Sequence, residues 1–224
     1  MEIINGIHRI DEASENMAHA NVYLVTNGKE LAIIDTGTPG NAQKIIDYVE
    51  KKGFKPTDVK FIVLTHHHMD HMGSAKQLRD LTNAQVAVHE NDADYVSGQK
   101  PLHAPEHAHP RATIAIESVP VDIRLKEGDR IADMVVHFLP GHTEGSIMLL
   151  DEKRKVLFTG DSLRYDGKEI TCSPSEYCSD VGEMFGSIAK ASQLDFEVML
   201  PGHGQPLKAN ASYLVRNYSN RIKY

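Results

Sequence analysis

The chain has 224 residues, 41% hydrophobic and 25% charged, the balance of a soluble globular protein that buries a real core in one large domain. Its 24 basic residues against 31 acidic ones give a net charge of −7, and no dense Lys/Arg run relieves it, which argues against nucleic acid as a partner. The opening MEIINGIHRIDEASENM carries no basic segment ahead of an apolar one, and no apolar run approaches the roughly 18 residues that span a bilayer, so a cytoplasmic protein without a membrane partner is expected.

Strand-length apolar stretches fall at 21–26, 31–35, 59–64, 85–88, 134–139, 146–150, 156–159 and 198–200. Segments of helical period alternate with them at 40–52, 73–82, 90–97, 180–192 and 209–222. The mixture predicts an α/β class, with a hairpin turn at Asn27-Gly28 between the first two strands. The segment 98–118 stands apart, with three Pro, three His and weak periodicity in its first half, and is expected to be a lid inserted between core elements. Cys172 and Cys178, the two cysteines, match neither a zinc-ribbon spacing nor a disulfide framework and are expected to be reduced bystanders.

The densest chemistry follows the strand at 59–64, in Thr65-His66-His67-His68-Met69-Asp70-His71. Extended backbone sends residues i and i+2 to one side, so His66 and His68 can converge on one ion while His67 points away. Asp70 and His71 follow where the chain turns toward a helix, so they can reach a second point close by. One short loop can thus supply half of a two-metal site. Three later positions share the setting of a strand followed by a tight turn: His142 in LPGHT, Asp161 in FTGDS and His203 in LPGHG. Imidazole nitrogen and carboxylate oxygen suit zinc first, with manganese or iron as alternatives, and a carboxylate such as Asp161 can bridge two ions.

THHHMDH, PGHTEGS, TGDS and PGHG, in this order, together with the early aspartate of IIDTG, resemble the metallo-β-lactamase superfamily over about 200 residues. The resemblance implies an αββα four-layer sandwich, two mixed sheets flanked by helices, with a dinuclear metal site at one edge. It implies that His66, His68 and His142 hold the first of two divalent ions, that Asp70, His71 and His203 hold the second, and that Asp161 bridges them. Asp35 would stand behind the ligands and orient their histidines.

Two divalent ions roughly 3.5–4 Å apart lower the pKa of a shared water from 15.7 toward about 7, which gives a bridging hydroxide as nucleophile at neutral pH. Asp70 is placed to pass the spent proton to the leaving group. TGDSL lacks the G-x-S-x-G setting of a nucleophilic serine.

Departures from known subgroups narrow the substrate. The β-lactamases of the zinc class usually carry cysteine or a replaced ligand where this chain has Asp161 or Asp70, and the flavo-diiron proteins carry Glu at the position of His68. GDSLRYDGKEITC has no Gly-Cys-Gly-Arg stretch of the kind glyoxalase II carries, and Tyr165 stands four residues past Asp161, near where the superfamily's lactonases place a substrate-facing tyrosine. The reading is a dinuclear metal-dependent hydrolase of small esters or lactones, compatible with a homo-oligomer. The alternatives are a glyoxalase II-like thioester hydrolase, a mononuclear iron sulfur dioxygenase and a non-catalytic metal-binding scaffold. His8, His19, His89 and His137 lack a ligand motif and are expected to be structural or superficial, and His103, His107 and His109 to belong to the lid.

Overall fold

A computed structural model describes residues 1–10, 19–28, 30–102 and 116–222. Its first sheet has seven strands in sequence order: β1 (Glu2–Ile4), β2 (Ile7–Arg9), β3 (Tyr23–Asn27), β4 (Glu30–Ile34), β5 (Val59–Val63), β6 (Gln85–His89) and β7 (Ile123–Leu125). Antiparallel pairing of β1 to β4 gives way to parallel pairing from β4 to β7, because helical crossovers separate the later strands. The crossovers are α1 (Ala42–Lys51), the one-turn α2 (Met69–Met72) with α3 (Ala75–Thr82), and α4 (Glu90–Val96). The second sheet runs β14-β11-β10-β9-β8, built from β8 (Arg130–Ile131), β9 (Met134–Phe138), β10 (Ile147–Asp151), β11 (Val156–Gly160) and β14 (Val198–Pro201). A small pair, β12 (Arg164–Tyr165) and β13 (Ile170–Thr171), and the helices α5 (Val181–Ala191) and α6 (Ala211–Arg221) complete the described strands and α-helices.

Strand alternation sorts the apolar side chains into three layers. Tyr23, Val25, Ala32 and Ile34 of the first sheet meet Ile147, Leu149, Phe158 and Leu200 of the second between the sheets. Their neighbours Leu24, Leu31 and Ile33 face outward onto Ile45 and Val49 of α1 and Leu78 of α3. On the far side, Met148, Leu157 and Met199 meet Met184 and Ile188 of α5 and Val215 of α6. Strands covered on both faces must be apolar at every position, and β10 and β11 are buried throughout. The result is the expected αββα sandwich.

The eight expected strands and five expected helices are present with ends shifted by a few residues, while β1, β2, β7, β8, β12 and β13 are additional. These six span only two or three residues each, too short for a period to register. Most of the expected lid, 103–115, lies outside the described residues. At its two ends, Leu102 and Ile116 are partly buried against the outer core of the first sheet. No described helix is long and apolar enough to cross a membrane.

Candidate metal centre

The loops that leave β4, β5, β9, β11 and β14 gather at one edge of the sandwich. After β5 the chain bends at Thr65 and His66, returns to extended backbone at His68 (φ −66°, ψ 149°) and enters α2, so Asp70 and His71 ride on its single turn. The rings of His66, His68 and His142 stand 4.6–4.7 Å apart, centroid to centroid. On the other side, His203 Nε2 is 2.9 Å from Asp70 Oδ2 and 3.3 Å from Asp161 Oδ2, and His71 Nε2 is 3.1 Å from Asp161 Oδ1. Asp161 Oδ2 also lies 3.8 Å from His142 Nε2, so this carboxylate touches both sides. Three ligand-type groups fall within 4.8 Å among the described residues: His66 with His68 and His142, Asp70 with His71 and His203, and His66 with His71 and Asp161.

Close approach of the β14 loop depends on Gly202, where a Cβ would come within 2.3 Å of Asp161 Oδ1 and 2.7 Å of His71 Cε1. Asp35 ends β4 in the left-handed region (φ 57°), a conformation aspartate tolerates better than most residues. The turn brings its carboxylate to Thr65, whose amide donates to Oδ1 (2.8 Å) and whose hydroxyl donates to Oδ2 (2.9 Å).

What stands behind the imidazoles fixes which nitrogen faces inward. Asp35 Oδ2 accepts from His71 Nδ1 at 2.8 Å. With its proton given to Asp35, the Thr65 hydroxyl accepts from His66 Nδ1 at 3.0 Å. Cys178 Sγ donates to Pro174 O and lies 3.8 Å from His142 Nδ1, which leaves the sulfur to accept from that ring. In each case Nε2 is the nitrogen turned toward the cluster, with a free lone pair on the neutral rings of His66 and His142. His66 Nε2, His71 Nε2 and His142 Nε2 are all buried without an aligned hydrogen-bond partner. Several buried acceptor nitrogens converging beside carboxylates are costly unless a cation is shared among them, so the residues present fit a metal centre.

The electrostatics of the protein groups agree. Burial, reinforced by the neighbouring imidazoles, holds His66 and His142 well below 6.5, and burial with His67 brings His68 to about 4, so these rings stay neutral and available as ligands. Burial would lower His71 too, but Asp35, Asp161 and Asp70 outweigh it and push that ring well above 6.5. Burial would likewise raise both acids; instead His71 and His203 take Asp70 down to about 2, and His203, His71 and Arg164 hold Asp161 well below the usual carboxylate range. A dication held by the inner nitrogens would take the place of the His71 proton in the same negative field.

All seven expected ligand residues, with Asp35 behind them, are therefore brought together. His67 does turn away: its ring stacks on Tyr95 at 4.4 Å and 14°. Tyr165 packs its half-buried ring against the outer core of the second sheet, and its carbonyl accepts from Gln205 N at 2.7 Å, pinning the loop that carries His203. His8, His19, His89 and His137 stand outside the three groups, and His103, His107 and His109 lie outside the described residues. Both cysteines are free, but Cys178 is more than a bystander, since it backs His142; burial and Cys172 push its thiol up to about 11. Arg164, which donates to Asp161 Oδ2 at 2.9 Å and to Ser173 Oγ at 3.0 Å, also went unsignalled in the sequence. Thr65 alone had a cue, as the residue that joins a strand to a histidine run.

Residues 18–203 match the family described as the metallo-beta-lactamase superfamily (Lactamase_B). The human acyl-coenzyme A thioesterase MBLAC2 is 29% identical, over 97% of this chain and 85% of its own. The hydroxyacylglutathione hydrolase GloC of Haemophilus influenzae is 29% identical, over 79% of this chain and 81% of its own. Among solved structures, the subclass B3 metallo-beta-lactamase BJP-1 of Bradyrhizobium japonicum superposes with a TM-score of 0.75 at 25% identity, covering 99% of this chain and 89% of that one. With a family match that spans most of its length and the same fold, the chain belongs to the metallo-beta-lactamase superfamily.

Proposed function

We propose that the chain is a dinuclear metal-dependent hydrolase of small acyl substrates, with thioesters as the first class to test. The observation that carries this reading is the convergence of two three-residue ligand groups, His66-His68-His142 and Asp70-His71-His203, on the carboxylate of Asp161. Two divalent cations, zinc before manganese or iron, would be held there, and the chemistry such ions supply is acidified water and a polarised acyl oxygen.

The protein groups do the rest. Asp161 keeps the two ligand sets in register, and Asp35, Thr65 and Cys178 hold the imidazole rings so that Nε2 faces inward. Asp70, whose side chain is still 28% exposed, is the acid open to solvent and is placed to carry a proton from the attacking water to the leaving group. Its low pKa means that it holds that proton only in transit. A thiolate is a good leaving group that needs little help of this kind, which agrees with the acyl–sulfur bonds named for MBLAC2 and GloC. Esters and lactones are the second reading; a role for the Tyr165 hydroxyl at the substrate belongs to it, although the ring packs against the outer core of the second sheet.

The test is a zinc-loaded screen over acyl-coenzyme A, acylglutathione, lactone and aryl ester substrates. Turnover of thioesters at a kcat/KM at least tenfold above that of matched oxygen esters is expected. Preference for lactones would move the assignment to the second reading, and no turnover with fully loaded protein would favour a metal-binding scaffold.

A further inference from the structure

The two loops that carry the first ligand group belong to different sheets, and something must set their separation. His66 and His68 come from the loop after β5, His142 from the loop after β9. Between them, on α4, sits Asp92, with its side chain fully buried. Its Oδ2 accepts from the backbone N of His67 at 2.9 Å, the residue flanked by both ligands of the first loop. The same oxygen accepts from Thr143 Oγ1 at 2.8 Å, the residue next to the ligand of the second loop. The His67 ring also lies close, Nδ1 to Oδ2 at 3.0 Å, outside hydrogen-bond alignment.

The second loop is shaped around this contact. Ser146 Oγ accepts from Thr143 N at 2.9 Å and lies 2.8 Å from Thr143 Oγ1, which keeps the Thr143 hydroxyl turned to Asp92. Gly145 passes so close that a Cβ would lie 2.5 Å from both Cγ and Oδ1 of Asp92. Asp92 belongs to none of the three ligand-type groups. Its other oxygen, Oδ1, is buried without a hydrogen-bond partner, a poor arrangement for stability alone, since a buried polar atom left unpaired costs free energy.

We propose that Asp92 is a positioning residue: by tying His67 and Thr143 to one oxygen it sets the distance between His66/His68 and His142, and with it the affinity of that triad for its cation. This rests on the reading of the triad as a metal site. Asp92 holds the backbone between two ligands and the side chain beside the third, so its loss lets the loops separate without removing any ligand.

The experiment is zinc binding in competition with a chromophoric chelator, in a His71→Ala background so that, of the three ligand-type groups among the described residues, only the three-histidine one is complete. Asp92→Ala and the near-isosteric Thr143→Val should weaken binding about 10–100-fold, the range for residues that support metal ligands. Asp92→Asn, which keeps an acceptor oxygen, should recover part of it. Asp151→Asn is the control: Asp151 is also buried, bonded to Arg154 at the opposite end of β10, and its loss should lower the metal-free thermal midpoint and leave affinity unchanged. Unchanged affinity in Asp92→Ala, or in Thr143→Val should Asp92→Ala not fold, would overturn the proposal. Failure of the dinuclear reading shows separately, as a single ion in the unmutated chain.

Discussion

The two sheets serve the site in opposite ways. The first gives four candidate ligand residues within six positions, His66, His68, Asp70 and His71, on one loop and the helical turn after it, whereas the second gives one from each of three loops, His142, Asp161 and His203. In the first, local backbone geometry does most of the work; in the second, 60 residues separate His142 from His203, and only the pairing β9-β10-β11-β14 brings their loops to one edge. A dense motif and a dispersed set can therefore carry equal weight in one site, though only the dense one advertises itself.

Equality of the two regions is the claim most exposed to mutation. His66→Ala from the dense loop and His142→Ala from the dispersed set should each cost one ion and lower kcat/KM by more than about 100-fold, beyond the usual effect of residues behind the ligands. Elemental analysis and steady-state kinetics on both variants check this. A His142→Ala protein with near-normal metal content would mean that the second sheet contributes less than its geometry indicates.

Smaller, and confined to the dense loop, is the effect of what stands behind it. Asp35→Asn keeps the shape but weakens the acceptor for His71 Nδ1 and for both Thr65 donors. Zinc affinity by chelator competition should fall about 10–100-fold with the thermal midpoint less affected.

Acid should act on both regions at once. An unfolded histidine titrates near 6.5, while His66, His142 and His68 in the fold stay neutral well below that, His68 down to about 4. Between those limits the unfolded chain binds protons that the folded chain refuses, so stability is lost as pH falls. His71 runs the other way: its contribution is present below 6.5 and is lost as pH rises through its raised folded value. Below 6.5 the His71 contribution is constant and only the three lowered rings change, so the midpoint of chelator-stripped protein should fall from pH 6.5 to pH 4 in a thermal melt series. A midpoint that rises over that range would contradict the neutral state of the three buried rings.

The smallest effect is expected at His67, the non-ligand inside the dense loop. His67→Ala keeps the backbone N–H that donates to Asp92 and loses the ring that stacks on Tyr95 and lies 3.0 Å from Asp92 Oδ2, so both ions should remain and kcat/KM should change by no more than about threefold. Metal content lowered to that of His68→Ala would mean that the alternation along this loop is misread.

These contrasts also mark what the sequence could disclose. The two sheets were legible because their central strands are long and apolar on both faces, as at Ile147–Asp151, and the ligand residues because His and Asp recur after such strands. Short pairs such as Arg130–Ile131 and Arg164–Tyr165 carry no period and emerge only when a neighbouring strand pairs with them. Supporting residues were hidden for a related reason. Asp92 sits in an ordinary polar helix start and Cys178 in a serine-rich loop, and each acquires its role only when the tertiary fold brings a ligand loop against it.

The most direct test of the central claim, that one edge of the sandwich completes two ligand sets, is the metal count of active protein. Elemental analysis of zinc-loaded enzyme, with kcat followed as ions are removed by chelator and restored, should give two ions per chain, with activity lost on removal and regained on return. Full activity at one ion per chain would contradict the account.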